Sequence, residues 1–255
     1  TLITPDGRTV GFATYGPDSG TPVVWCHGGP GSRLEPAGLA PFLDELGLRV
    51  IGIDRPGYGL SSLRPGRSIA DFVPDGLAVV DRLGVERFLA VGVSTGGAYA
   101  LALAAMAPDR VRAVVACSAM SDMRHQPSRD TMSKATCHDV WNAPDRAAAI
   151  DVARAVFGDD GSLLMGSADV ELCAADVAFI AQAATDPAQE ASMRAQFANG
   201  VQGYVDDRRA DGPGWASFDI AAVRCPVVVL HGSDDTIGGP VNAHHTTSLV
   251  PQATL

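Results

Sequence analysis

Residues 91–100 read VGVSTGGAYA, with Gly92 two positions before Ser94 and Gly96 two positions after it. An apolar run, Phe88 to Val93, leads in, and an alanine-rich run, Ala98 to Ala107, leads out. The first has the length and composition of a buried strand, and the second has those of a helix. Ser94 therefore sits at the turn between them. Where a strand ends abruptly at the carboxyl edge of a parallel sheet, the two backbones crowd, and only glycine tolerates that contact at spacing two. The serine is then held in a strained conformation, its hydroxyl lifted off the sheet above the positive end of the helix. This marks Ser94 as a candidate nucleophile. Glycine-rich turns that bind phosphate need G-x-G-x-x-G or a G-K-[ST] ending, and neither occurs here.

Similar apolar, unalternating runs recur on both sides: Val23 to Cys26, Val50 to Ile53, Val111 to Cys117 and Val227 to Leu230. Such runs read as strands covered on both faces. Segments of helical length lie between them at Leu39 to Leu46, Ile69 to Leu83 and Gly97 to Ala107. Strands alternating with helices imply right-handed crossovers, so the fold class is α/β, with a mostly parallel central sheet flanked by helices. TVGFATYG (residues 9–16) alternates more and is expected to form an antiparallel edge hairpin with Leu2 and Ile3.

The alternation stops at Cys117 and resumes at Val227. Residues 121–220 carry helical signals instead: Ala147 to Phe157, Asp169 to Ala184, and Pro187 to Phe197 with Asp186 as cap. The expected organisation is therefore core residues 1–120, a helical cap at 121–220, and core residues 221–255. The cap holds 16 acidic and 8 basic residues, most of the chain's net charge of −10. Those acids read as solvated helix faces, with a cover that disfavours anionic substrates as the alternative.

A globally acidic chain is a poor partner for nucleic acid or anionic membranes, and no apolar run approaches the length of a membrane-spanning helix. The expected partner is a small-molecule substrate. The five cysteines are unevenly spaced, with no zinc-type pair, so neither a metal nor a cofactor is expected. Cys26, Cys117 and Cys225 read as small buried hydrophobes. The cysteine usage is read as that of a reducing, cytoplasmic compartment.

Three more motifs bear on Ser94. WCHGGPGS (residues 25–32) follows a buried strand and forms an open loop whose amides can face a cavity. A serine attacking a carbonyl creates an oxyanion, and each preorganised N–H donor contributes about 2.7–4 kcal/mol to stabilising it. The amides of Gly29 and Thr95 are the candidate donors. His27 reads as a neutral imidazole tied to nearby backbone, shaping the loop. In GIDRPGYGLSS (residues 52–62), Asp54 reads as a carboxylate that organises its loop, with Arg55 as the expected partner. CPVVVLHGSDDTIGGP (residues 225–240) ends a strand on two aspartates. A serine hydrolase needs a carboxylate to orient its histidine and stabilise the imidazolium. Asp235 has that place; Asp234 and Asp122 are the alternatives.

HGGPGS, DRPGYGLSS, GVSTGG and HGSDD, in this order and spacing, make the chain similar to α/β-hydrolases over Val10 to Leu255, the insertion apart. The resemblance implies a nucleophile at Ser94, oxyanion donors at Gly29 and Thr95, the acid at Asp235 and a helical cap. HGGPG also resembles proline iminopeptidases, which carry Trp where this chain has Thr95. Dehalogenases and epoxide hydrolases of this fold carry Asp at the nucleophile position. The resemblance further implies a histidine after the last strand, which should begin near PQATL (residues 251–255). His244 and His245 precede that strand, on a helix surface by this reading. The catalytic histidine is thus expected about ten residues past Leu255, by the length of a strand and a loop. Carboxylic ester hydrolysis through an acyl-enzyme is the favoured activity. An aminopeptidase or amidase, and a binding protein that has lost the chemistry, are the rivals.

Overall fold

A computed structural model describes residues 1–163, 172–183 and 187–255. Its main sheet has seven strands, ordered β3-β5-β4-β6-β7-β8-β9. These are β3 (Phe12–Tyr15), β4 (Thr21–Cys26), β5 (Leu48–Ile53), β6 (Phe88–Val93), β7 (Val111–Cys117), β8 (Val227–Leu230) and β9 (Ala253–Thr254). All neighbours pair in parallel except β3, which runs antiparallel on the edge. The β-branched runs lie at its centre, where both faces are covered.

The expected amino-terminal hairpin forms in part. β1 (Leu2–Ile3) pairs antiparallel with β2 (Thr9–Val10), but the rest of that segment leaves the hairpin and joins the main sheet as β3. Gly11 divides the two: a Cβ there would press on the Asp54 carboxylate and Leu60.

Helices α1 (Ala40–Leu46), α2 (Val73–Arg82) and α3 (Gly96–Met106) occupy the crossovers. The segment expected as one helix from Ile69 opens instead with a 3-10 turn, Ala70–Phe72, and becomes α-helical at Val73. α3 is buried from Gly96 to Ala105. That suits its composition, since a helix apolar on all sides belongs inside a core.

Between β7 and β8 the described chain is helical: α4 (Gln126–Asp130), α5 (Ala135–Asn142), α6 (Arg146–Phe157), α7 (Ala174–Ala183), α8 (Pro187–Gln196) and α9 (Gln202–Asp211). α6 is capped by Asp145, whose side chain accepts from the Ala148 amide. The expected caps Asp169 and Asp186 lie outside the described residues. α10 (Val241–Leu249) and β9 follow β8 as expected. All five cysteines are free; Cys26 and Cys225 are buried, and Cys117 is half-buried.

Asp130, Asp139, Asp145, Asp151, Asp159, Asp160 and Glu190 are exposed, as the reading of solvated acidic faces expects, but α9 departs from it. Its sequence is strongly polar, yet Asp206, Asp207, Arg208 and Asp211 are all buried. Asp207 accepts from Arg55 Nη2 at 2.7 Å, Tyr58 OH at 2.8 Å, Tyr99 OH at 2.9 Å and Arg67 Nη2. Burial opposes its charge, but the guanidiniums of Arg55 and Arg67 outweigh burial and hold it far below the usual carboxylate range. Its stabilising contribution is therefore full above the ordinary aspartate range and is lost as pH falls through and below it. Asp207→Asn would leave two buried guanidiniums short of their counter-charge. We expect a loss of about 3–5 kcal/mol in denaturant unfolding; an unchanged midpoint would show that the cluster is energetically idle.

Candidate active site

β4 and β6 are neighbours, but the chain passes through β5, on the far side of β4, before reaching β6. Such a reversal opens a crevice at the carboxyl ends of the strands, where ligands bind in open α/β sheets. Ser94 follows β6, and the loop from His27 follows β4, so both meet this crevice.

Ser94 has φ = +51°, one of two described non-glycine residues with positive φ. The left-handed region is sterically costly for a side chain and persists only where the surroundings enforce it. Here the Ser94 amide donates to Cys117 O at 3.0 Å, and Ser94 O accepts from the amides of Gly97 and Met120, both at 3.1 Å. The flanking glycines are obligatory: a Cβ on Gly92 would overlap Gly96 O, and one on Gly96 would overlap Cys26 O. The turn is the tight elbow that the sequence predicts.

Ser94 opens into a cavity of about 360 Å³ that also exposes Met120, Met132, Asp234 and Asp235. Gly29 packs on Thr95, the residue after the serine: a Cβ built on Gly29 would lie 2.7 Å from Thr95 Oγ1 and 3.0 Å from Arg208 Nη2. Among the described residues neither the Gly29 nor the Thr95 amide donates to another protein atom. The Thr95 amide belongs to the residue directly after the serine, and Gly29 packs against the Thr95 side chain.

His27 is fully buried, with Nδ1 2.7 Å from Gly28 O and Nε2 accepting from the Arg55 amide at 3.2 Å. Burial, reinforced by Arg55, pushes its pKa well below the ordinary value, so the ring is neutral. Asp54 accepts from the Arg33 amide at 2.6 Å, Arg33 Nη1 at 2.8 Å and the Leu60 amide at 2.9 Å. It organises its loop as predicted, but its partner is Arg33. Arg55 turns instead to Asp207 and to the carbonyls of His27 and Gly28.

Of the three candidate acids, Asp235 lines the cavity and is half-buried. Its Oδ1 accepts from the amides of Ile237 (2.8 Å) and Gly238 (3.1 Å), and its Oδ2 lies 3.1 Å from His231 Nε2. The His231 contact, aided by the two amides, lowers its pKa to about 2 against the opposing effect of burial. Asp122 is turned onto Arg124, with Oδ2–Nη2 at 2.5 Å, and does not line the cavity. Asp234 lines it but is exposed.

None of the six histidines has a hydrogen bond to Ser94 among the described residues. His231 rests on Asp235 but is not part of the cavity wall. His138 Nε2 lies 2.7 Å from Met132 O. His244 is exposed on α10, as the sequence predicts, and His245 is half-buried there. Its Nδ1 lies 2.9 Å from Ser121 Oγ, and its ring stacks on His125 at 3.7 Å. α4 packs on α10 there, a pairing of distant helices that no local pattern reveals.

Sequence reasoning missed Arg208. It is fully buried on α9, donates to Thr95 Oγ1 and pairs with Asp211 Oδ2 at 2.6 Å. Among the described residues no group of three or more His, Cys, Asp or Glu side chains could hold a metal, and no helix is long and apolar enough to cross a membrane.

Comparison with known proteins identifies the family. The chain is 31% identical over 222 residues to a 2-hydroxymuconate semialdehyde hydrolase of Pseudomonas putida, covering 86% of this chain and 72% of the relative. It is 34% identical over 122 residues to a non-heme chloroperoxidase of Streptomyces lividans, covering 47% of this chain and 44% of that one. Against several curated relatives the match spans less than half of their length. In fold it resembles the crystal structure of an esterase from Rhodococcus sp. ECU1013, with TM-score 0.67, 23% identity, and coverage of 99% of this chain and 86% of that one. The family model described as alpha/beta hydrolase fold matches residues 21–255, and by that match this chain belongs to the alpha/beta hydrolase fold family.

Proposed function

We propose that the protein is a serine hydrolase acting on a carboxylic ester through an acyl-enzyme, with the helices between β7 and β8 as its cap. The observation that carries this reading is Ser94, held at φ = +51° in a cavity shared with Asp235, with unengaged amides on the next residue, Thr95, and on Gly29, which packs against Thr95. Ser94 Oγ attacks the ester carbonyl while an imidazole takes its proton. The oxyanion sits between the two amides, and Asp235 stabilises the imidazolium. The alcohol leaves with that proton, and water then hydrolyses the acyl-enzyme by the same route.

The six histidines of residues 1–255 do not supply this imidazole by their contacts. His231→Gln tests this: turnover should fall by no more than about tenfold, the size of one supporting hydrogen bond. A collapse of turnover would make His231 the base. The direct test of the reading is labelling of the full-length protein with a fluorophosphonate, followed by peptide mapping. The label should reside on Ser94 and block hydrolysis of a short p-nitrophenyl ester in step. Label on another residue with Ser94 unmodified overturns the reading.

An amidase or aminopeptidase is the second reading. Its support is the acidic side chains Asp176 and Asp234 on the cavity wall, which suit a protonated substrate amine. Faster hydrolysis of an aminoacyl anilide than of an uncharged ester of similar size would favour it.

A further inference from the structure

Asp207 and Arg208 are consecutive on α9, and each reaches one half of the oxyanion site. Asp207 accepts from Arg55 Nε, 3.1 Å to each carboxylate oxygen, and from Nη2 at 2.7 Å. The same guanidinium donates to the carbonyls of His27, through Nη1, and Gly28, through Nη2 at 2.7 Å. Those two carbonyls belong to the loop that ends in the Gly29 amide. Arg208 takes the other half. Its Nη2 donates to Thr95 Oγ1, and its Nη1 lies 3.3 Å from Met120 Sδ. Met120 is itself tied to the elbow, its amide donating to Ser94 O at 3.1 Å. Asp211 Oδ2, 2.6 Å from Arg208, fixes the guanidinium in that direction.

These contacts join residues far apart in sequence, and every side chain in them is buried. Burial makes such bonds directional and costly to misplace. A donor helps catalysis only when it already points at the position the oxyanion will occupy. We infer that α9 is the positioning element of the oxyanion site: Asp207 through Arg55 sets the Gly29 amide, and Arg208 through Thr95 Oγ1 sets the Thr95 amide. Catalytic competence thereby depends on the seating of the cap helix. None of these side chains touches the substrate in this scheme. The inference rests on the proposed serine-hydrolase reading.

The test uses variants of the full-length protein that keep the amide and alter only its support. Thr95→Val removes the Oγ1 acceptor at nearly constant shape, and Thr95→Ser keeps it. Loss of one oxyanion donor costs about 10²–10³ in kcat, so a donor that is merely loosened should cost about 10- to 100-fold. For Thr95→Val we expect that loss in kcat with KM for a short ester nearly unchanged. Affinity for a boronic acid that forms a tetrahedral adduct on Ser94 should weaken by the same factor. Thr95→Ser should restore both. Arg208→Met, which also strands Asp211 and so costs stability, should share the kcat and boronate losses of Thr95→Val, and the double variant should be no slower than the slower single variant, because both remove the Arg208–Thr95 bond. A cap that is merely unseated would raise KM and lower the melting temperature without tracking boronate affinity. Wild-type kcat and boronate affinity in Thr95→Val, or losses that multiply in the double variant, overturn the inference. Ser94→Ala separates the two claims. If it remains active, the hydrolase reading fails; if it is dead while Thr95→Val is normal, only the positioning claim fails.

Discussion

Replacing Ser94 with Ala is expected to lower kcat for a short p-nitrophenyl ester by about 10⁴- to 10⁶-fold and to abolish fluorophosphonate labelling. The upper figure is the cost of losing the nucleophile in subtilisin, where removing it alone costs about as much as removing the whole triad. The same scale applies here if Ser94 is the only group whose oxygen reaches the carbonyl. Thr95, its neighbour, is buried, and its hydroxyl is engaged by Arg208, so it is not free to substitute. The fold should survive. Ala carries the same Cβ as Ser, so the strain at φ = +51° is unchanged, and the backbone bonds from Ser94 to Cys117, Gly97 and Met120 do not involve the hydroxyl. Thermal unfolding of the variant should stay within a few degrees of the parent, on the order of 1 kcal/mol. Turnover persisting at a similar rate in a folded Ala variant would remove Ser94 from the mechanism.

The second large effect is at Asp235. Asp235→Asn should cost about 10⁴ in kcat, the handicap that a mis-set imidazole tautomer produces in the chymotrypsin-type triad. Asp122→Asn and Asp234→Asn should each stay within about tenfold, since neither is placed to orient the general base. The contrast follows from geometry: Asp235 faces the cavity, whereas Asp122 spends its charge on Arg124. Asp235 is ionised above about pH 2, held there chiefly by His231. An acid limb of kcat/KM near neutrality should therefore report an imidazole and not this carboxylate. By the same sign, whatever stability the ionised Asp235 contributes is present above the ordinary aspartate range and lost as pH falls toward 2. A greater loss at Asp122 than at Asp235 would move the acid to the end of β7.

Much of this molecule is legible from residue order. The β-branched runs can only be strands covered on both faces, and the glycines around Ser94 have no other use than the crowded elbow in which they are found. The HGGPGS and HGSDD loops could be placed at strand ends for the same local reason. His27 and Asp54 could be read as loop-forming groups because their neighbours supply backbone partners. Pairings between distant segments could not be read. Asp54 meets Arg33 and not the adjacent Arg55, because Arg55 is claimed by Asp207, 152 residues away. α9, with sequence GYVDDRRAD in its last nine residues, carries the periodicity of an exposed segment yet is buried, because its charges find opposite charges and hydroxyls from four other parts of the chain. Hydrophobic patterning reports only the cost of burying a residue alone. Whether a charged side chain is buried depends on which partners the tertiary fold brings to it, and that was decided only when the helices closed over the sheet.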